Sequence, residues 1–361
     1  MVLISGPRQV GKSFLARQLL QDFTHPIYLN WDNFHDREII LAQEWSVDTD
    51  LLVLDEIHKM HLWKNYLKGV WDTKPAHLSI LVIGSARLET FRQSGDSLAG
   101  RYFHHRLLPL TPSETMNIGE KRELDYFLTR GGFPEPWLAE SDDEAGRWRR
   151  QYMDGLIRED ILNFENITRL KAMTLLVELL RDRVASPLSY QSLSGDLEIS
   201  PNTVKHYLEI LEALYIIFRI YPHHHSIARS IMKQPKIYFF DTGLVRGNIG
   251  KKLENLTAVS ILRELYLKED MDGKHRSLRY LRTKEGKEVD FLITEENAEK
   301  LMVEVKHSER KLSKNLEYFY DRYNYPGIQL VADLRLERDL GMLKIRRAMD
   351  WLSNPEEWSL G

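Results

Sequence analysis

The chain has 361 residues, 43% hydrophobic and 29% charged, which excludes disordered and fibrous classes and calls for two or three domains. A formal net charge of −3 excludes a global basic field for nucleic acid, so any such contact must come from local patches. The absence of cysteine excludes disulfides and thiolate metal sites, no apolar run approaches a membrane span, and the N-terminus lacks a signal-peptide layout. The expectation is a cytoplasmic, multidomain protein.

The first predicted element is a short apolar strand, Val2-Leu3-Ile4-Ser5, running into Gly6-Pro7-Arg8-Gln9-Val10-Gly11-Lys12-Ser13. A helix over Phe14 to Leu20 follows. Strand, glycine-rich turn and helix is the context of a phosphate-binding loop. Its backbone N–H groups curl around phosphate oxygens, and the helix N-terminus adds positive potential. ATP with Mg²⁺ is the expected ligand, held by the loop from Gly6 to Ser13 and by Phe14 after it. Lys12 is expected to reach the β- and γ-phosphates, and the Ser13 hydroxyl to ligate Mg²⁺.

Strands are predicted at Ile27 to Asn30, Leu51 to Leu54, Ile80 to Ile83 and Arg106 to Leu110. Alternation with helical stretches gives an α/β architecture, a mostly parallel sheet covered on both faces. The apolar run Leu51-Leu52-Val53-Leu54 reads as a strand buried on both faces, ending in Asp55-Glu56. Asp55 is the candidate Mg²⁺ ligand and Glu56 the candidate base for the attacking water. Ser85, after the next strand, is the candidate sensor of the γ-phosphate, or only a strand cap. Arg87 and Arg101 follow. Arg101 is placed to stabilise phosphoryl charge, in cis or from a neighbouring subunit, or else to solubilise the surface. The phosphate strand begins at residue 2, so the adenine pocket must come from later segments, a partner, or additional N-terminal sequence.

After Pro112 the spacing turns helical, over Leu124 to Leu128, Trp148 to Leu162 and Leu170 to Arg183, with Arg130-Gly131-Gly132-Phe133-Pro134 as a turn. These form a helical lid, 113–185, beside an ATPase core, 1–112. Residues 186–245 read as a winged helix: a helix over Ser189 to Leu197, a second over Pro201 to Leu214 capped by Ser200, then strands Ile216 to Tyr221 and Lys236 to Phe240 around a loop with Arg229 and Lys233. Asn202, Thr203, Lys205 and His206 lie where base-reading residues would sit, with Glu209 and Glu212 diluting the charge. His223-His224-His225 reads as a solvated loop, because successive residues rarely converge on one ion.

From 246 to 361 the order is helix (256–269), strands Arg276 to Thr283, Lys287 to Thr294 and Lys300 to Lys306, helix Leu312 to Tyr323, and strand Gly327 to Ala332. Asp290 lies mid-strand, and Glu304 and Lys306 share a face of the next strand. Asp290 and Glu304 are candidate ligands of a second Mg²⁺, with Lys306 stabilising charge at a phosphodiester and Glu264 completing the cluster. The competing reading is an ion pair of Lys306 in an inert scaffold.

These residues resemble a family of prokaryotic ATPases of the AAA-related, STAND-like kind, carrying a C-terminal domain known as DUF4143. The resemblance rests on the phosphate loop, Leu54-Asp55-Glu56, Ser97-Leu98-Ala99-Gly100-Arg101, Leu108-Pro109-Leu110 and Gly131-Gly132-Phe133-Pro134. It also rests on Asp241-Thr242-Gly243-Leu244, Glu288-Val289-Asp290-Phe291 and Glu304-Val305-Lys306. It runs over essentially the whole chain and departs at the front, where family members usually carry a few dozen more residues. It implies an ATPase core, a winged helix and a C-terminal domain similar to the restriction-endonuclease-like PD-(D/E)xK fold. The expected function is an ATP-hydrolysing switch coupled to a nucleic-acid-directed, Mg-dependent nuclease-like domain. The alternative is a signalling or scaffolding ATPase whose C-terminal domain only binds protein. The partners this reading allows are DNA, through the winged helix and C-terminal domain, and a second copy of the chain.

Overall fold

A computed structural model describes residues 1–84, 98–117, 123–161, 170–223, 234–296, 298–308 and 311–358, the side chains of 159–161 and 357 excepted. The chain divides into two compact units, Met1–Leu108 with Ala213–Tyr215, and Pro109–Glu212 with Ile216–Gly361. Among the described residues no helix is long and apolar enough to cross a membrane.

The first unit is built on a five-stranded sheet: β1 (Val2–Ser5), β2 (Pro26–Asn30), β3 (Leu51–Asp55), β4 (Ser79–Ile83) and β5 (Phe103–Arg106), in the order β2-β3-β4-β1-β5. Every pairing is parallel. The unbroken apolar run of β3 follows from burial on both faces. Leu51 and Val53 join Ile4, Ala16, Leu81 and Ile83 on the face of α1 (Lys12–Leu19). Leu52 and Leu54 join Ile40, Leu67 and Val70 under α2 (Phe34–Ala42) and α3 (Trp63–Thr73). Because all five strands are parallel, their C-terminal ends share one edge, where α/β sheets bind ligands. The last strand differs from the sequence expectation: β5 is Phe103–Arg106, not Arg106 to Leu110. It is an edge strand with polar sequence Phe-His-His-Arg, so it shows no apolar run, and Pro109 beyond it has no N–H to pair.

The second unit begins with helices α4 (Pro112–Asn117), α5 (Leu124–Arg130), α6 (Pro134–Leu138) and α7 (Asp142–Gly155), the last continuing as a π-turn over Leu156–Ile161, and then α8 (Leu170–Asp182). Next come α9 (Tyr190–Leu197) and α10 (Pro201–Ala213). Ser189 accepts the Ser192 N–H and Ser200 that of Thr203, which fixes both helix starts. Strands β6 (Ile217–Pro222) and β7 (Lys236–Phe239) form an antiparallel hairpin. The loop residues Arg229 and Lys233, with His224 and His225, lie outside the described residues.

That hairpin joins a larger sheet. β6 pairs in parallel with β8 (Arg276–Arg282), which continues through β9 (Glu288–Glu295), β10 (Ala298–Lys306), β11 (Gly327–Val331), β13 (Leu343–Arg347) and β12 (Arg338–Leu340). α12 (Lys314–Tyr323) follows β10, and α13 (Ala348–Ser353) follows β13. The long helix α11 runs Ile249–Asp272, well beyond the expected 256–269, between an Asn248 cap and Gly273 at φ 75°. Burial of nearly every residue from Leu253 to Leu265 erases the amphipathic stripe that would have marked its start. The short, charged strands β12 and β13 were not expected.

Candidate active site

At the C-terminal edge of the first sheet, Ser5 turns into Gly6 at φ 150°. A Cβ there would lie 2.1 Å from the Leu107 carbonyl oxygen, so only glycine fits. Gly11, at φ 104°, turns the loop into α1. Lys12 is buried, and its Nζ donates to the Gly6 and Pro7 carbonyls at 3.0 and 2.6 Å. Burial pushes the Lys12 ammonium down to about 8, against the raising effect of Glu56 and Asp55. Phe14, by contrast, is 68% exposed.

Asp55 ends β3 and is the hub of the site. Its Oδ2 accepts from the Ser13 hydroxyl at 3.0 Å, from the Tyr28 hydroxyl in a short contact, and from Asn30 Nδ2 at 3.3 Å. Burial raises the Asp55 carboxyl, while the Tyr28 and Ser13 hydroxyls favour its charged form. Burial and then the Asp55 hydrogen bond push the Tyr28 phenol up to about 12, so it remains a donor. Tyr28 and Asn30 were missed in the sequence; the available signal was two polar side chains closing a strand adjacent to β3. The donor set suits a Mg-nucleotide: a hydroxyl and a carboxylate converge as hard oxygen ligands beside a glycine-lined turn with a buried lysine.

Glu56 follows in the left-handed region, φ 57°, with its N–H on the Ile83 carbonyl at 3.0 Å. Lys59 Nζ lies 3.2 Å from Glu56 Oε2, and His58 Nε2 lies 3.7 Å from the same oxygen. Lys59 also pairs closely with Asp32. Ser85 and Arg87 lie outside the described residues.

The cis role considered for Arg101 requires correction. Arg101 sits two residues before β5, where the Phe103 N–H meets the Met1 carbonyl at 3.0 Å. That is the opposite edge of the sheet from the loop, separated by four residues of β1, or about 13 Å at the usual strand rise. Its guanidinium forms two hydrogen bonds with Asp72, at 3.0 and 3.3 Å. That leaves the two other expectations, a contribution to a neighbouring subunit or a surface role, here as the partner of Asp72.

In the second unit, Glu304 and Lys306 do share a face, with Nζ 2.8 Å from Oε1. Glu304 Oε2 accepts the Asp290 N–H at 3.4 Å, and Asp290 Oδ2 accepts the Val305 N–H at 2.9 Å. The adjacent strands thus bring the two acids together. Glu264 does not complete their cluster, since its partners are Arg263 and Lys268. Glu254, ten residues earlier on α11, takes that place.

Between these acids lies a residue that was not anticipated. Lys236, at the start of β7, is 1% exposed; its Nζ lies 2.8 Å from Glu288, 3.2 Å from Glu254 and 3.6 Å from Asp290. Its only sequence signal was a lysine opening the apolar run Ile237-Tyr238-Phe239-Phe240. These acids hold the Lys236 ammonium well above its usual range despite burial. Burial and the Asp290 charge push Glu254 up to about 8, and Glu304 is raised to about 7 for the same reasons. Each candidate acid has a lysine beside it, Lys306 on Glu304 and Lys236 on Asp290, the arrangement expected of an inert scaffold. Among the described residues no group of three or more His, Asp or Glu is arranged to hold a metal. His223 is engaged by Glu299 at 2.9 Å.

Two other motifs meet each other. A Cβ on Gly131 would lie 1.9 Å from Asp241 Oδ1, and one on Gly132 would lie 2.2 Å from the Leu110 carbonyl oxygen. Buried Asp241 accepts from Arg149 Nε at 2.9 Å, and Arg149 Nη2 donates to the Thr129 carbonyl at 3.0 Å. Gly131-Gly132-Phe133-Pro134 and Asp241-Thr242-Gly243-Leu244 are therefore halves of one structural knot.

Residues 1–116 match the AAA domain family, 121–254 a domain of unknown function (DUF8612), and 249–340 a domain of unknown function (DUF4143). The chain is 25% identical over 338 residues to an uncharacterised protein of Methanocaldococcus jannaschii, covering 83% of this chain and 74% of that one. It is 24% identical over 305 residues to an uncharacterised protein of Mycobacterium tuberculosis, covering 81% and 67%. RuvB of Thermotoga maritima covers 60% of this chain and 81% of its own at 14% identity, with a TM-score of 0.28, too low to carry an argument. The chain thus carries an AAA domain at the front, with its glycine-rich loop and convergent hard oxygen atoms, and a DUF4143 domain at the back.

Proposed function

We propose that this protein is an ATP-hydrolysing switch whose C-terminal domain acts by binding a partner rather than by cutting nucleic acid. The hydrolytic half is supported by the convergence of Lys12, Ser13, Asp55 and Glu56 at one sheet edge. When bound, Mg²⁺ supplies charge neutralisation at the phosphates, with Ser13 and Asp55 as its protein ligands. Lys12 exchanges the Gly6 and Pro7 carbonyls for phosphate oxygens. Glu56 takes the proton of the attacking water as its oxygen bonds the γ-phosphorus and the bond to the ADP oxygen breaks.

The observation that favours binding over cutting is Lys236, whose buried ammonium lies against Asp290, Glu254 and Glu288. An internal cation there already offsets Asp290, one of the two acids that a metal would need, and Lys306 offsets the other, Glu304. DNA remains the first partner to test, through Asn202, Thr203, Lys205 and His206 near the start of α10, whose Ser200 cap leaves that end exposed. ATPase and nuclease assays of the wild type beside Glu56→Gln and Asp290→Ala separate the readings. The expected result is ATP hydrolysis abolished by Glu56→Gln, and no Mg²⁺- or Mn²⁺-dependent cleavage of plasmid DNA. Cleavage by the wild type that Asp290→Ala abolishes reinstates the nuclease reading.

A further inference from the structure

The two acids at the nucleotide site are wired to the same turn. Asn30 Nδ2 reaches Asp55 Oδ2 at 3.3 Å, and the N–H of Asp32 is held by Asn30 Oδ1 at 2.8 Å. Asp32 in turn holds the Lys59 ammonium, and Lys59 reaches Glu56 Oε2 at 3.2 Å. His58 approaches that same oxygen, at 3.7 Å. Lys59 and His58 thus both address one oxygen of Glu56, Oε2.

Glu56 needs such a restraint. It lies on a left-handed residue between the end of β3 and a single turn of 3₁₀ helix, Ile57–Lys59, so no regular element fixes its side chain. A general base must meet its proton within hydrogen-bonding reach, and small displacements at such a site are costly. Lys59 is one third exposed and comes off the opposite end of that 3₁₀ turn, with the i,i+3 spacing that aims it back at Glu56.

We infer that Lys59, anchored by Asp32, is a positioning residue for Glu56. This rests on the reading of the protein as an ATPase with Glu56 as base.

The test compares steady-state ATP hydrolysis and equilibrium ATP binding for the full chain and for Lys59→Met, Lys59→Arg, Asp32→Asn and Glu56→Gln. Lys59→Met is expected to lower kcat by about tenfold or more with ATP affinity unchanged, since the loss is one of orientation. Lys59→Arg, which keeps the cation, restores most of the rate, and Asp32→Asn falls between. A Lys59→Met variant that hydrolyses at the wild-type kcat overturns the inference, as does one that loses ATP affinity along with kcat. A wild type that hydrolyses no ATP brings down the ATPase reading and the inference with it. A wild type that is active while Lys59→Met is equally active brings down the inference alone.

Discussion

The Ser13 hydroxyl donates to Asp55 Oδ2 at 3.0 Å, joining the start of α1 to the end of β3 across 42 residues of sequence. Both groups are hard oxygen ligands, and Tyr28 holds the same carboxylate oxygen from the adjacent strand. Outer partners of this kind orient a ligand as much as the ligand's own backbone does. Tyr28→Phe is therefore expected to weaken the Mg²⁺ dependence of ATP binding by about tenfold. A Mg²⁺ titration of nucleotide binding reads the effect, and an unchanged midpoint removes Tyr28 from the site.

Gly6 leaves no room for a side chain: a Cβ at this position would stand 2.1 Å from the Leu107 carbonyl oxygen, and φ is 150°. Gly6→Ala is expected to abolish ATP binding and to cost more than about 1 kcal/mol of stability. Equilibrium binding and urea denaturation measure the two effects separately. Gly11, at φ 104° with nothing near its Cβ position, suffers backbone strain alone, so Gly11→Ala should be the milder change in stability.

Arg101 lies at the sheet edge opposite the phosphate loop, paired with Asp72. Arg101→Ala is expected to bind ATP with wild-type affinity. If the residue serves a neighbouring subunit, mixing Arg101→Ala with Glu56→Gln restores hydrolysis that neither variant has alone. Weakened ATP binding by Arg101→Ala contradicts its placement.

The Lys236 cluster makes stability depend on pH. Glu254 ordinarily titrates near 4.5 and is pushed up to about 8 in the folded chain by burial and the Asp290 charge. Between these values the folded state keeps a proton that the unfolded state has lost, so stability falls as pH rises through the window. Lys236, raised above its ordinary 10.5, contributes throughout that window and does not alter the slope. Tm is expected to fall from about pH 5 to about pH 8, with Glu304, raised to about 7, contributing in the same sense, and Glu254→Gln to reduce the slope. A parallel profile for the variant assigns the slope to other groups.

Lys236→Met leaves Glu254, Glu288 and Asp290 without their shared cation. Removing one partner of a buried ionic group costs about 3–5 kcal/mol, which denaturant titration of the second unit would show as a large shift in midpoint. A shift below about 1 kcal/mol would mean that the acids take up protons or water at little cost.

Much of the nucleotide site was legible in the sequence because its parts are local. A glycine-rich turn between an apolar strand and a helix, and two acids closing a strand buried on both faces, announce themselves by spacing alone. The pairing of Glu304 with Lys306 was legible for the same reason, since a period of two puts both on one face. What spacing cannot convey is which distant element arrives beside a residue. Tyr28 and Asn30 reach Asp55 only because β2 pairs with β3 in register. Arg101 is removed from the glycine-rich loop of its own chain only because β5 runs parallel to β1.

The same division holds at the other end of the chain. The sequence by itself determined that Asp290 lies mid-strand in an apolar segment, where a charge requires a partner. The tertiary structure alone decided what that partner is. Lys236 lies 54 positions earlier, and Glu254 sits on a helix whose near-complete burial hides its periodicity. Local spacing sets which face a side chain takes, but long-range strand order sets what it meets there, and the charge balance of a buried site depends on the second.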